Sequence, residues 1–179
     1  KGQYDKAMAY HEKALQLNSL ATDNMGLVNT LLNIGDVCIN TKQLDIGIEH
    51  FTKAWTMAKE LNDPRSVAHA LTGLGALHNA CARSHGDYRT ALEYSLKAIP
   101  ISESLNDLLS LSYNYLSISN AYEGLKDFEK ALKYLHLFNA TQHKYKTEEA
   151  RQKGIQAEYR RKIEDAERDR QVKLARFRE

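Results

Sequence analysis

Hydrophobic residues recur every three or four positions along most of this chain, which is the spacing of amphipathic helices. Residues 26–58 show the pattern most clearly, as two apolar stripes separated by a short polar turn at residues 41–43. The stripes are Leu27, Leu31, Ile34 and Cys38, followed by Ile48, Phe51, Trp55 and Ala58. The pattern predicts two helices that form an antiparallel pair.

Small residues recur at a fixed spacing along the chain, which indicates that the same pair of helices is repeated. Gly35, Gly75 and Ser119 each follow a leucine or isoleucine, and successive marks lie 40 and then 44 positions apart. Two further series are Ala7, Gly47, Ala91 and Ala131, and Ala14, Ala54 and Ala98. Phe138 stands where the last series would place another alanine. A period between about 20 and 50 residues predicts a solenoid, in which each unit buries its apolar face against its neighbours.

The small residues are expected to be the places where helices cross, because two helices approach closely only where a side chain is small. The predicted crossing points are Gly35, Gly47 and Ala54, and the large residues predicted to fill the adjacent space are Phe51, Tyr94 and Leu135. Asp63 is a predicted helix N-cap, with Pro64 in the first turn, and Asn106–Asp107 repeats this signal.

The third unit carries four additional residues within residues 81–85. Four residues are about 1.1 turns of an α-helix, so the insertion is predicted to lengthen the first helix of that unit by one turn. Residues 86–88 are then predicted to form the turn. Pro100 is expected to kink the second helix of the unit, because proline removes one backbone hydrogen bond.

The chain is therefore expected to divide into an array of repeats, residues 1–145, and a charged helix, residues 146–179, which caps the last repeat and continues as a linker. The array consists of a partial repeat at 1–22 and three full units at 23–62, 63–106 and 107–145. Thr147 is the predicted N-cap of the charged helix. Acidic residues stand four positions before basic ones at Glu158–Lys162, Glu164–Arg168 and Asp169–Lys173, a spacing that favours exposed ion pairs.

Composition agrees with a helical protein, since 179 residues contain only two prolines. No run of about 18 apolar residues is present, so no membrane span is expected. The net charge of +2 does not call for a nucleic-acid partner. Cys38 and Cys81 are far apart in sequence, which favours a reducing cytoplasm over a disulfide framework. Because the chain begins with Lys1 inside a repeat, we expect it to be a fragment of a longer protein.

Few residues suggest catalysis or metal binding. His78, Cys81 and His85 could be read as three metal ligands, but His78 occupies a core aromatic position of the repeat, and a packed histidine with a buried thiol is the better interpretation. The chain has no glycine-rich phosphate loop between a strand and a helix. We therefore expect no enzyme activity, no metal and no cofactor.

The repeats resemble the tetratricopeptide repeat family. The resemblance rests on Ile118–Tyr122 followed by Lys126–Tyr134, on Leu74–Gly75, and on Gly86–Leu92, and it covers about residues 1–143. It implies an all-α, right-handed superhelical solenoid of antiparallel helix pairs, followed here by the long charged helix. The sequence departs from the family's pattern at four positions. Cys38 and His78 stand where the family has tyrosine, and Gly47 and Phe138 stand where it has alanine.

In this family the first helices of the repeats line a concave face that binds peptides or partner helices. The residues predicted to face that side are Asn29, Asn33, Asp36, Asn40, His69, Thr72, Asn79, Tyr113, Ser117 and Asn120. Asparagine amides both donate and accept, so they can pair with the backbone of an extended peptide. The alternative is a polar, solvated surface. The family's carboxylate-clamp co-chaperones use lysine and arginine here, and this chain lacks that charge.

Residues 145–170 resemble the charged helix that follows such repeats in bacterial signal-transduction proteins. The resemblance implies a regulatory or sensory region that couples to an output domain. The alternatives are a static scaffold of the polarity or transport type, and a regulatory segment of a kinase or nucleotide cyclase with its catalytic domain elsewhere. A homodimer could form through the charged helix, as a coiled coil, or through the uncovered first repeat. The basic residues of the charged helix alternate with acidic ones, which disfavours nucleic-acid binding.

Overall fold

The computed structural model describes residues 2–176 and the side chains in this range other than those of residues 2–3, 85, 169 and 171–176. Over this range the chain forms seven α-helices. They are α1 Gly2–Leu20, α2 Asn24–Thr41, α3 Leu44–Glu60, α4 Pro64–Cys81, α5 His85–Ser104, α6 Leu108–Gly124 and α7 Phe128–Arg176. Consecutive helices pack in antiparallel fashion, and the predicted all-α architecture is confirmed.

Two compact units divide the chain, Lys1–Gln142 and His143–Glu179. The first contains α1 to α6 and the beginning of α7, and the second contains the remainder of α7. The helices of the first unit also contact one beyond their neighbours, since α2 packs on α4 and α4 on α6. These are the first helices of successive repeats, so they form a common layer.

The loops between repeats contain helix-capping residues, of which Asp63 and Asp107 were predicted. Asp23, Asp63 and Asp107 are the N-caps of α2, α4 and α6, and each carboxylate accepts a hydrogen bond from a backbone N–H of the first turn. Pro64 begins α4, as predicted. Asn62 and Asn106 precede two of the caps with φ angles of 54° and 51°, in the left-handed region that asparagine tolerates better than most residues.

The four-residue insertion does not lengthen the first helix of its unit, so that prediction was wrong. α2 and α4 both have 18 residues, whereas α5 has 20 residues and α3 has 17. The insertion therefore adds three residues to the second helix and one to the preceding loop. Residues 86–88 lie inside α5 and form no turn, because Ser84 caps the helix earlier and Asp87 completes a capping box.

The main core is built on Phe51, which is fully buried. Its ring lies between Gly35 on α2 and Gly73 on α4, so both glycines have a packing role. Gly47 meets Leu77 and Cys38, which agrees with its predicted crossing point. The predicted filling role of Leu135 was wrong, since 38% of this residue is exposed.

Thr147 is not a helix N-cap, because α7 begins about twenty residues earlier, at Phe128. Its hydroxyl donates to the carbonyl of His143 inside the helix, at 2.9 Å. In the second unit Lys162 pairs with Glu158 as predicted, while Arg168 pairs with Asp165 instead of Glu164. The predicted pair Asp169–Lys173 lies outside the described side chains. No helix within residues 2–176 is long and apolar enough to cross a membrane.

Candidate partner-binding groove

A groove of about 850 Å³ runs across the first helices of the three full repeats in the first unit. Three helices supply its lining, and the residues share no single chemical character. From α2 they are Asp36, Ile39 and Asn40; from α4, Arg65, His69, Thr72, Gly73, Ala76 and Asn79; from α6 and its cap, Asp107, Leu109, Ser110, Tyr113, Leu116, Ser117 and Asn120.

Eight of the ten residues predicted for the concave face line this groove. The two exceptions are Asn29 and Asn33, which are exposed residues of α2 and do not line the groove. The groove uses only residues 36–40 near the end of α2, but it uses residues 109–120 of α6, from the start of that helix onwards, so it runs obliquely across the helices. Equivalent positions in successive repeats therefore do not stand side by side, which sequence spacing alone could not show.

Hydrogen bonds between the helices also join positions that are not equivalent in the repeat. His69 is equivalent to Asn29 by the 40-residue period, yet it contacts Asp36, about two turns further along α2. Asn79 is equivalent to Glu123, yet its amide donates to the carbonyl of Ser117 at 2.7 Å. The polar contacts thus fix how far each first helix is displaced from the preceding one.

His69 and Asp36 form the one ion pair across the groove among the described residues. The imidazole Nε2 lies 3.1 Å from Oδ2 of Asp36 and 3.2 Å from Oδ1. The hydrogen bond to Asp36 raises the pKa of His69, and partial burial of the ring opposes that rise. The negative charge of Asp107 also favours the protonated ring. The groove therefore contains a histidine whose protonated form is favoured by its carboxylate neighbours.

The floor of the groove is polar but internally satisfied at most positions. The Ser117 hydroxyl oxygen accepts from the Asn79 amide at 2.8 Å and lies 2.7 Å from the Ser95 hydroxyl. The Thr72 hydroxyl donates to the carbonyl of Ala68 and accepts from the amide of Asn114. Both predicted site residues, Thr72 and Ser117, are buried. These two hydroxyls join the helices to one another, and their hydrogen bonds lie within the protein.

Asn79 retains one unused acceptor. Its Nδ2 is occupied by Ser117, while its Oδ1 is shielded from solvent and accepts no hydrogen bond. An amide oxygen without a partner costs about 1–3 kcal/mol when it is buried. Asn79 lines the groove, so a donor that reached this oxygen as neighbouring side chains moved aside would remove that cost.

The lining also includes large apolar and aromatic side chains. Tyr113 and Leu109 on α6 are exposed, and they lie with Ile39 and Leu116 in the same lining. Among the lining residues that sequence analysis missed are Ile39, Arg65, Leu109 and Leu116, because only one stripe of each helix was assigned to the face. The spacing of Leu109, Tyr113 and Leu116 by four and three residues was a usable signal. The groove thus combines apolar surface with a few hydrogen-bonding groups, as ligand-binding clefts do.

Two of the three residues that resembled a metal site, His78 and Cys81, have other contacts. His78 stacks on Tyr94, with ring centroids 5.3 Å apart, and burial lowers its pKa. The thiol of Cys81 donates to the carbonyl of Leu77 at 3.0 Å. The side chain of His85 lies outside the described part of the chain. Within that part, no three His, Cys, Asp or Glu side chains are grouped as metal ligands.

Comparison with known proteins agrees with this geometry. The tetratricopeptide repeat model matches residues 112–136, which comprise most of α6 and the first turns of α7. The crystal structure of the tetratricopeptide-repeat domain of Arabidopsis FLU superposes with a TM-score of 0.57 at 26% identity, over 65% of this chain and 95% of that one. The helices pack one after another as antiparallel pairs, an arrangement typical of tetratricopeptide repeats.

A curated relative was also found. The Arabidopsis thaliana protein FLUORESCENT IN BLUE LIGHT, chloroplastic, is 28% identical over 109 residues. The match covers 61% of this chain and 33% of that protein, so the chain spans about a third of the relative's length. These matches associate the array with protein binding and do not support the resemblance to bacterial signalling proteins.

Proposed function

We propose that the groove binds a peptide or helix of a protein partner, and that this binding, not catalysis, is the function of the array. The observation that carries the proposal is that three successive first helices contribute to one continuous groove. Its exposed Tyr113 and Leu109 offer apolar contacts, and Asn79 offers a buried acceptor without a partner. Large aromatic side chains in such settings commonly supply much of the binding energy.

A peptide library tests this proposal even though the partner is unidentified. Random peptides are selected on the full chain, and the selected sequences are titrated by calorimetry against wild type and Tyr113→Ala. We expect the substitution to raise Kd about tenfold or more, equivalent to about 1.4 kcal/mol of lost binding free energy. Asn79→Asp is expected to weaken binding of the same peptides, because it removes the Nδ2 donor whose hydrogen bonds to Ser117 hold the side chain in place.

Tyr10 on α1 provides a matched control, because it is also an exposed tyrosine but lies outside the groove. Tyr10→Ala should leave Kd unchanged. Peptides that bind wild type and Tyr113→Ala equally would place the binding surface elsewhere, and failure to select any peptide would count against a peptide-binding function altogether.

The finer role that we propose is regulatory: partner binding to the array would be relayed through α7 to an output domain outside this sequence. Its support is that α7 belongs to both compact units. The exposed apolar residues Ile155, Tyr159 and Ile163 also give its second part a surface for pairing into a homodimer. A static scaffold is the competing role. Sedimentation of wild type and Ile163→Glu distinguishes the two, since an unchanged monomer would argue against coupling through a paired helix.

The cytoplasm is the location that we propose. Cys38 and Cys81 are both free thiols, as in proteins of reducing compartments. The curated relative is named as chloroplastic, which is a property of that protein. Microscopy of the tagged full-length protein would decide between these compartments.

A further inference from the structure

The face of α7 formed by Phe128, Leu132 and Leu135, here called the α7 face, is exposed although its three residues are apolar. All three lie in the first unit. Positions four and then three residues apart lie on one side of a helix, so the residues form a continuous stripe. Leu137 is exposed as well, but it points about 160° away from Leu135 around the helix axis.

In the preceding repeat, the equivalent face is covered by another helix. By the 40-residue period, Phe128, Leu132 and Leu135 correspond to Tyr88, Leu92 and Ser95 on α5. The ring of Tyr88 lies against Gly124 of α6, and Leu92 packs in one cluster with Ile118 and Ala121 of α6. Leu92 is 8% exposed, whereas Leu132 is 55% exposed. The first helix of the next repeat therefore covers this face on α5.

The same arrangement occurs one repeat earlier. Phe51 on α3 corresponds to Leu135, and its ring packs against Gly73 on α4. In the following repeat the equivalent residue is Ser95 on α5, which lies next to Ser117 on α6. In both cases the covering helix presents a small residue at this point. The covering helix thus has a defined character, namely an amphipathic helix with glycine or serine opposite the Leu135 position.

We propose that the α7 face is a second binding site, which takes an amphipathic helix of a partner protein. The partner helix lies antiparallel to α7, places a glycine or serine against Leu135, and packs its apolar residues on Phe128 and Leu132. It continues the interface that α4 makes with α3 and α6 makes with α5. This site is separate from the groove, so a partner could occupy both.

The array itself supplies a probe for this site. A fluorescein-labelled peptide of residues 63–82 contains the α4 sequence, including the glycine that accommodates Phe51. Its binding to the full chain is followed by fluorescence anisotropy. We expect saturable binding, and we expect Leu135→Asp to weaken it about tenfold or more, because the carboxylate would lose water on contact with the peptide. A peptide with leucine in place of Gly73 should bind similarly weakly.

Leu137→Asp is the matched control, since Leu137 and Leu135 are the same residue type with the same 38% exposure in the same helix. It should leave peptide binding unchanged. The proposal is overturned if the peptide does not bind wild type, or if both aspartate variants weaken it equally. Sedimentation without peptide gives a further outcome: self-association abolished only by Leu135→Asp would identify a second copy as the occupant and overturn the assignment to a separate partner.

This test also separates the two sites. Tyr113→Ala lies in the groove and should not affect binding of the residue 63–82 peptide. Failure of the α7 experiment would leave the groove proposal standing, because the two readouts use different probes and different variants.

Discussion

The ring of Phe51 and the backbone of Gly73 are in such close contact that no side chain fits between them. A Cβ atom placed on Gly73 would lie 2.5 Å from Cζ of Phe51, far inside van der Waals contact. Gly35 faces the same ring, with a corresponding distance of 2.6 Å to Cε2. Phe51 is fully buried, so the ring has little freedom to move away. This contact sets the spacing of α2, α3 and α4.

Gly73→Ala is therefore predicted to destabilise the protein, although alanine favours helices more than glycine does. Overfilling a packed core costs about 1–3 kcal/mol, which exceeds the gain of about 1 kcal/mol in helix propensity. Chemical denaturation followed by circular dichroism measures the net change. Gly154→Ala is the matched control, because no atom lies within 4 Å of its added Cβ and only the stabilising propensity term remains. If both variants were stabilised, the assigned role of Gly73 would be wrong.

The contact between His69 and Asp36 predicts a dependence of stability on pH. The hydrogen bond raises the pKa of His69 above its ordinary value of about 6.5. A raised pKa means that the folded state holds the proton more tightly than the unfolded state. Protonated His69 therefore contributes fully to the free energy of unfolding below about pH 6.5, and this contribution is lost as the pH rises through the pKa of His69 in the folded state. Asp36→Asn should abolish this trend. Because both side chains are about 40–50% exposed, the effect should be at most about 1 kcal/mol.

Histidine titration by nuclear magnetic resonance provides the direct measurement. His50 and His78 serve as internal references, since burial lowers the pKa of each ring. We expect His69 to titrate above both, and Asp36→Asn to lower the pKa of His69 alone. A pKa of His69 that is unaffected by Asp36→Asn would contradict the described pair.

The start of α5 can be tested through its capping box. Ser84 accepts from the backbone N–H of Asp87 at 3.3 Å, and the Asp87 carboxylate accepts from the backbone N–H of Ser84 at 2.9 Å. Ser84→Ala is predicted to cost about 0.5–2 kcal/mol in thermal or chemical unfolding, the usual effect of losing an N-cap. Ser104→Ala, at the opposite end of α5, should cost less, because its hydroxyl only bonds the carbonyl of Ile101 within the last turn. Equal effects would mean that Ser84 does not begin the helix.

Local chemistry made the helices predictable from sequence. Asp63 and Asp107 have side chains that cap a helix within three residues, so their role does not depend on distant parts of the chain. The insertion could not be assigned in the same way. Four residues are close to one turn, which fits the end of α4 or the start of α5 equally well, and the capping box at Ser84 decided between them.

The sequence by itself determined the repeats and the face that we propose for partner binding, because a period of 40 residues and an apolar stripe are properties of neighbouring positions. Only the tertiary structure decided which residues meet. The displacement of α4 relative to α2 brings His69 to Asp36 rather than to Asn29, and it leaves Asn29 and Asn33 outside the groove. That displacement results from packing and hydrogen bonds between whole helices, which no single repeat contains.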